Sequence, residues 1–569
     1  MISESELLGA LRRYWGHSEF RPLQERIVRS LLEGRDTCVV MPTGGGKSLC
    51  YQLPAALLRE QTVLVVSPLI ALMADQVAQL GQMGIPAAFL NSMLGHREQA
   101  EIIASAGRGE YRLLYVSPER LARADTHAWL QKVPISFFAI DEAHCISEWG
   151  HEFRPEYRQL SGLRERFPGK PIAALTASAT RHVRHDIIEQ LKLRSPDKYI
   201  ASFHRSNLRY VVKETSEAQQ DELLVQALRH YARESVIVYA PTINRVKDTV
   251  GLLQGAGFSA IGYHGKMNAV DRKKSHESWM SGDANVLVGT IAFGMGINKG
   301  GVRAVIHLSL PKSIEQFYQE AGRAGRDGQP ADCVMLWQWR DVKLLEYFAK
   351  QVTDAAEQKR ALERSHGIQR FVQARRCRHL QLCAHFGETK KWALCGACDA
   401  CGYLPAWWPR EAEEPRASRR KLKSAWPSEP PRKTPVSAPA ECRPSPQITR
   451  RGAIPPESKP PQVPATSRDT WWGSTKPKPA EFALEAGGGL REQLREWRRA
   501  AAREQRIAAF IVMHDTTLDA LCEAKPRSMS ELLTVPGIGE VKAERYGAQI
   551  LEVIRKFGAG SAAKAAGHS

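Results

Sequence analysis

The sequence runs to 569 residues and carries 80 Lys and Arg against 61 Asp and Glu, a formal net charge of +19 with a pI near 9.5. At 43% hydrophobic and 25% charged residues it reads as a folded chain of roughly three or four domains, which excludes collagen-like and wholly disordered classes. Its basic excess points to a polyanionic partner, nucleic acid first.

The N-terminal Met-Ile-Ser-Glu-Ser-Glu lacks the basic-then-apolar layout of a signal peptide. The longest apolar stretch, Thr62 to Met73, is broken by Ser67 and Pro68 and is shorter than the ~20 residues of a membrane span. The expected location is therefore the cytoplasm, with no membrane partner. In a reducing compartment the eleven cysteines are expected as metal ligands or buried thiols before disulfides.

Taken in chain order, the apolar runs Cys38 to Met41, Val63 to Val66, Leu113 to Val116 and Phe137 to Ile140 read as buried strands, each followed by a helix-length segment. The same rhythm restarts at Val236 to Tyr239, Val286 to Val288 and Ala304 to Ile306. It predicts two α/β domains of parallel sheet covered by helices, split near residue 206, with ligands at the strand carboxyl ends. A helical pattern follows from 342 and ends in a cysteine cluster by 402. From 403 to 486 about half of the 33 prolines gather with scattered Arg and Lys, a composition expected to stay disordered. Within it, Arg419-Arg420-Lys421-Leu422-Lys423 reads either as a solvated tether or as a sequence-blind DNA contact. Trp471-Trp472 could stack on bases or dock on a partner. Apolar periodicity returns from 487 to 558 as a small helical domain, and 559–569 is expected as a flexible tail.

Three motifs carry chemistry. Met41-Pro42-Thr43-Gly44-Gly45-Gly46-Lys47-Ser48 lies between a strand and a helix, where Gly-rich backbone closes around phosphate and the helix dipole favours the anion. Thr43, Gly44, Gly45 and Gly46 then cradle ATP, Lys47 meets the β and γ phosphates, and Ser48 binds Mg²⁺. Met41 stands where the strict pattern has Gly. In Ala139-Ile140-Asp141-Glu142-Ala143-His144, Asp141 is placed to hold Mg²⁺ and Glu142 to accept a proton from the attacking water. In the second domain, Gln319-Glu320-Ala321-Gly322-Arg323-Ala324-Gly325-Arg326 sets two arginines on nearly one helix face. A guanidinium aimed at the γ phosphate from a separate domain would couple hydrolysis to lobe closure. Gln319, Arg323 and Arg326 complete the candidate catalytic set.

Cys377, Cys395, Cys398 and Cys401 combine one thiol with a C-x₂-C-x₂-C cluster. Four thiolates suit a closed, structural Zn²⁺ site, with an Fe–S cluster as the alternative. Cys383 lies off the pattern as a packed thiol.

On these residues the chain resembles superfamily 2 helicases and, from about residue 14 to 401, the RecQ helicases. Tyr14-Trp15-Gly16 with Phe20-Arg21-Pro22-Leu23-Gln24 is similar to the family's adenine motif, in which Arg21 and Gln24 contact the base and His17 stands at the stacking position. Ser67 to Gln76 and Ser117 to Leu121 resemble the backbone-tracking motifs, Ala174 to Ala179 the coupling motif, and Phe293 to Lys299 a second-lobe motif. Tyr239-Ala240-Pro241-Thr242 departs from the family's Tyr-Cys-Asn-Ser. Cys145 to Tyr157 resembles the aromatic-rich loop that senses single-stranded DNA, with Trp149, His151, Phe153 and Arg154 as its DNA contacts.

The resemblance implies two tandem RecA-like lobes (1–205 and 206–341), a helical zinc-binding module (342–402), the linker and an all-α HRDC-like domain. The HRDC likeness rests on Ile511 to Leu518 and Leu532 to Gly539. Its Pro536-Gly537-Ile538-Gly539 turn before Lys542 reads either as presenting N–H groups to phosphate or as a helix-joining turn. No winged helix is legible after the zinc module. ATP, Mg²⁺ and Zn²⁺ are the implied cofactors. Single-stranded and forked DNA are the implied partners, with a single-stranded-DNA-binding protein or repair proteins beside them. The implied activity is 3′-to-5′ unwinding in recombination and repair, in a nucleoid-associated setting. An RNA helicase and a DNA-bound scaffold with weak ATPase are the alternatives.

Overall fold

The computed structural model describes residues 2–91, 94–123, 125–150, 152–290, 299–409, 489–505 and 507–566. The expectations placed on His151, on Phe293 to Asn298 and on the linker between 410 and 488 lie outside these residues.

The first sheet contains β1 (Thr37–Val40), β2 (Thr62–Val66), β3 (Ala87–Leu90), β4 (Leu113–Val116), β5 (Ile135–Ile140), β6 (Ile172–Thr176) and β7 (Asp197–Ile200). Its order is β3-β4-β2-β5-β6-β1-β7, parallel throughout. Val63, Leu64, Val65 and Val66 are all fully buried, because helices cover both faces of a parallel sheet and both faces must be apolar. The neighbouring carboxyl ends of β5, β6 and β1 bring Asp141, Thr176 and the glycine loop to one edge of the sheet.

The chain passes to the second sheet between Ile200 and Leu208. That sheet contains β8 (Leu208–Glu214), β9 (Ser235–Tyr239), β10 (Ala260–Tyr263), β11 (Val286–Gly289), β12 (Val302–His307) and β13 (Ala331–Trp337), in the order β10-β11-β9-β12-β13-β8. Register pairs Tyr239 with His307 at the carboxyl ends of β9 and β12, and their rings stack at 5.0 Å. Thr242 ends the segment by capping the helix Ile243–Gly255, its hydroxyl accepting from the Arg245 N–H.

Helices Trp339–Lys350, Ala355–Gln373 and Arg378–His385 lead to the cysteine cluster. Tyr403, Trp407 and Trp408, which composition assigns to the linker, instead pack against the second-lobe core. The Tyr403 hydroxyl donates to Asp332 at 2.8 Å and the Trp407 indole to Tyr231 at 3.3 Å. Three aromatics supply apolar area that the average over a Pro-rich stretch conceals.

The C-terminal domain has the helices Leu490–Glu504, Ala509–Val512, Asp515–Ala524, Met529–Leu532 and Glu540–Ala566. Leu494, Trp497, Leu518, Leu521, Tyr546 and Ile550 form its core. Its last helix continues past residue 558, where a flexible tail was expected, through an Ala-rich sequence of high helix propensity. Among the described residues no helix is long and apolar enough to cross a membrane.

Candidate active site and zinc centre

The glycine loop turns on Gly44 and Gly46, whose φ angles of +84° and +81° lie in the left-handed region that other residues enter at a cost. Two residues of the adenine motif brace it from outside. Gln24 Nε2 donates to the carbonyls of Gly46 at 3.2 Å and Gly45 at 3.4 Å, and the Arg21 guanidinium donates to the Gly44 carbonyl. Gln24 Oε1 accepts from the Arg21 N–H at 2.9 Å. Both residues thus hold the loop from outside, while His17 is exposed.

Lys47 Nζ lies 3.3 Å from Asp141 and 3.1 Å from Glu142. Burial pushes the Asp141 carboxyl up. For Glu142 burial is outweighed, chiefly by the Lys47 ammonium, and the carboxyl stays well below its usual range. Glu142 therefore stands ionised and able to take a proton. Its backbone sits at φ +47°, a left-handed conformation costing a non-glycine residue about 1–3 kcal/mol. The Tyr157 hydroxyl donates to the carbonyl of the preceding Asp141 at 2.9 Å.

From Glu142 a line of polar contacts crosses to the other lobe. His144 Nδ1 lies 3.3 Å from Glu142 Oε2 and 2.9 Å from Thr176 Oγ1. Thr176 Oγ1 donates to the Ser178 carbonyl at 3.3 Å, and Gln319 Nε2, from the second lobe, donates to Ser178 Oγ at 2.9 Å. The Ser178 hydroxyl is thus the acceptor at the crossing between the lobes. Gln319 lies on the helix Ile314–Ala321, fixed to the second sheet by the His307–Glu320 contact at 2.8 Å.

Arg323 and Arg326 follow this helix; Arg326 lies against the glycine loop, and Arg323 lies beside it and against Tyr239. A Cβ on Gly44 would lie 3.3 Å from Arg326 Cγ. Burial, together with the nearby Arg323 and Arg205, pushes the Arg326 guanidinium down to about 9. An anion arriving between the lobes relieves that repulsion. Arg205 ties the two sides together: it donates to the Thr43 carbonyl at 3.0 Å and to the Gly325 carbonyl at 2.8 Å. Asn207 adds a bond to Gly325 at 2.8 Å.

The aromatic-rich loop leaves Trp149 49% exposed. The indole meets the His182 ring edge-on at 4.6 Å, and Arg360 of the zinc module lies 5.7 Å from its centroid. A groove of about 620 Å³ opens there, lined by Trp149, His182, Arg360, Arg364, Arg370 and Phe371, among others. Arg154 donates to the Pro68 carbonyl at 3.4 Å, and Phe153 lies 5.7 Å from the Arg158 guanidinium. The loop is therefore tied to the Ser67–Gln76 motif on one side and the zinc module on the other.

The sulfur atoms of Cys377, Cys395, Cys398 and Cys401 all lie within 4.8 Å of one another, with Cys395 and Cys401 3.8 Å apart. Tetrahedral Zn–S bonds of about 2.3 Å place sulfurs roughly 3.8 Å apart, so this donor set fits Zn²⁺. Arg378 N–H donates to Cys398 Sγ at 3.4 Å and Ala397 N–H to Cys395 Sγ at 3.3 Å. Cys383 lies outside the cluster and is buried. Metal analysis of the purified chain is expected to give about one zinc per molecule, with Cys398→Ala losing both the metal and the melting transition of the module; a well-folded zinc-free protein contradicts the site.

Four family models match consecutive parts of the chain: DEAD/DEAH box helicase over 21–186, helicase conserved C-terminal domain over 219–328, RecQ zinc-binding over 339–402 and HRDC domain over 488–554. The ATP-dependent DNA helicase RecQ of Haemophilus influenzae is 33% identical over 98% of this chain and 97% of its own length. The chain belongs to the RecQ family of ATP-dependent DNA helicases. RecQ of Bacillus subtilis is 34% identical over 96% of the chain and 98% of its own, and that of Pasteurella multocida 41% identical over 69% and 62%. The crystal structure of the DUF1998 helicase MrfA bound to DNA shares the fold at a TM-score of 0.50 and 19% identity, covering 62% of this chain and 51% of that one.

In this RecQ-family helicase the inner half of the Pro536–Gly539 turn, Ile538 and Gly539, is buried, while Pro536 is exposed. It packs backbone to backbone on the first lobe, where a Cβ on Gly16 would lie 2.7 Å from the Ile538 carbonyl carbon. Sequence reasoning also passed over Arg205 and Arg360. Neither lies in a repeated or Gly-rich pattern; the only signal for Arg205 is its place at the junction of the two lobes.

Proposed function

We propose that the chain moves 3′ to 5′ along single-stranded DNA and separates duplexes during recombination and repair in the bacterial cytoplasm. The observation that carries this reading is the contact line from Glu142 through His144, Thr176 and Ser178 to Gln319. It joins the hydrolytic carboxylate to the helix of the other lobe that leads into Arg323 and Arg326, and its first residues run directly into the aromatic-rich loop. A change at the γ phosphate is thereby felt at the DNA contact, and the reverse.

In this reading Arg21, Gln24 and His17 receive the adenine, and Thr43 to Lys47 the phosphates. Ser48 and Asp141 hold Mg²⁺, which neutralises phosphate charge when bound. Arg323 and Arg326 stabilise charge on the transferring group, with Gln319 relaying lobe position. Trp149, His151, Phe153 and Arg154 meet the DNA. The domains are those expected from the sequence, except that Tyr403 to Trp408 join the second lobe and the last helix runs to Ala566; single-stranded-DNA-binding and repair proteins are the partners.

ATP hydrolysis measured with single-stranded DNA and with single-stranded RNA tests the substrate. DNA is expected to stimulate strongly and RNA weakly. Trp149→Ala is expected to cut the DNA-stimulated rate at limiting DNA by about tenfold, the scale of one lost base–aromatic stack, and to spare the DNA-free rate. RNA preference, or an equal loss in both rates, overturns the reading.

A further inference from the structure

The two aromatics of the aromatic-rich loop are each backed by an arginine, and one carboxylate joins the two arginines. The loop lies between the turn Ala143–Ile146 and the short helix Pro155–Arg158, and none of its described residues from Ser147 to Arg154 is in a helix or strand. A ring held only by such a segment loses rotamer freedom when a partner orders it. Arg158, on the short helix, lies 5.7 Å from the Phe153 ring. Arg360, on the zinc-module helix Ala355–Gln373, lies 5.7 Å from the Trp149 ring. Glu148 Oε1 is 3.1 Å from Arg158 Nη2, and Glu148 Oε2 is 3.5 Å from Arg360 Nη1.

Arg360 is itself fixed from behind. Its side chain is 14% exposed, and its Nε donates to Glu357 Oε2 at 2.9 Å. Glu357 also pairs with Arg364, one turn further along the helix, and its N–H donates to the capping Asp354 at 2.7 Å. The guanidinium therefore stands on a braced helix start, while the indole it covers keeps almost half of its surface open. A cation within about 6 Å of an indole centroid attracts the ring, and here the same cation also holds the neighbouring Glu148. One side chain of the zinc module thus fixes both the loop and the ring that the loop presents. From the first lobe, His182 meets the indole edge-on.

We propose that Arg360 is a positioning residue for the DNA contact: it holds the Trp149 ring in the orientation that receives a base, without touching the DNA itself. A ring oriented beforehand loses less freedom on binding, so the gain appears as DNA affinity. The zinc module then has a part in the response to DNA, through the helix that leads toward Cys377. The inference rests on the reading that Trp149 stacks on single-stranded DNA.

The test is ATP hydrolysis by the full chain titrated with a single-stranded oligothymidylate. Arg360→Met keeps the aliphatic stem and removes the charge. It is expected to raise the DNA concentration for half-maximal stimulation about fivefold, the scale of one partly buried cation–π contact, with the plateau rate falling less than about twofold. Arg360→Lys, still a cation over the ring, is expected to recover most of the affinity. Glu148→Gln weakens the same ion pair from the loop side and is expected to shift the half-saturating concentration the same way; it carries the test if Arg360→Met fails to fold. In a Trp149→Ala background Arg360→Met is expected to add nothing, because two residues acting through one contact are not additive. The full loss from Arg360→Met in that background overturns the proposal, since Arg360 then acts without the ring. So does a salt dependence shallower by about one counterion in Arg360→Met, the mark of a direct phosphate contact; the parent's slope is expected. An unchanged half-saturating concentration in both Arg360→Met and Glu148→Gln also overturns it. If Trp149→Ala by itself leaves the DNA response unchanged, the stacking reading falls and this inference with it.

Discussion

Arg326→Ala is expected to lower kcat for ATP by about 10³-fold, the lower end of what an arginine acting on a transferring phosphoryl group contributes. The residue stands over Gly44 from the opposite lobe, buried beside Arg323 and Arg205 with its guanidinium held below the ordinary range. Guanidiniums this close repel one another, so their attraction is greatest for the state with most charge on the γ phosphate. Binding of ATP survives better than turnover, because Lys47 and the loop amides belong to the other lobe. Pre-steady-state measurement of the chemical step against nucleotide affinity separates the two. Equal loss of both would make Arg326 a binding group and remove it from catalysis.

Lys47→Ala is expected to reduce turnover by at least about 10²-fold, comparable with losing one preorganised electrostatic contact at a reacting oxygen. Two effects add. The phosphates lose their ammonium, and Asp141 and Glu142 lose the cation 3.3 and 3.1 Å away. Glu142 is held well below the usual carboxylate range with that ammonium beside it; without it the carboxylate loses the hydrogen bond that orients it. The lobe should stay folded, since Lys47 is not part of the apolar core clusters, and circular dichroism with ATPase assay checks both halves. Retained hydrolysis would exclude Lys47 from the mechanism.

Much of the site was legible because its chemistry demands particular residues at fixed spacing. The glycine loop needs positive φ at Gly44 and Gly46, and four thiolates around one ion leave a spacing that chance seldom produces. Strands β1, β2, β4 and β5 were readable as unbroken apolar runs, as buried parallel strands must be. β7, Asp197–Ile200, was not, because it lies at the sheet edge and leaves Ile200 43% exposed. Contacts joining distant segments left no trace. Arg205 bonds to Thr43 and Gly325, and Arg360 lies over Trp149, only because the fold brings them there. The same holds for the Pro536–Gly539 turn: a joining turn and a docking surface have the same sequence, and only packing on Gly16 tells them apart.

The most direct test of a motor driven by closure of two lobes on ATP is strand separation of a partial duplex carrying either a 3′ or a 5′ single-stranded tail. The expected result is ATP-dependent unwinding of the 3′-tailed substrate, loss of that unwinding in Arg326→Ala, and little separation of the 5′-tailed one. Unwinding of the 5′-tailed duplex alone, or separation that proceeds without ATP, would contradict it.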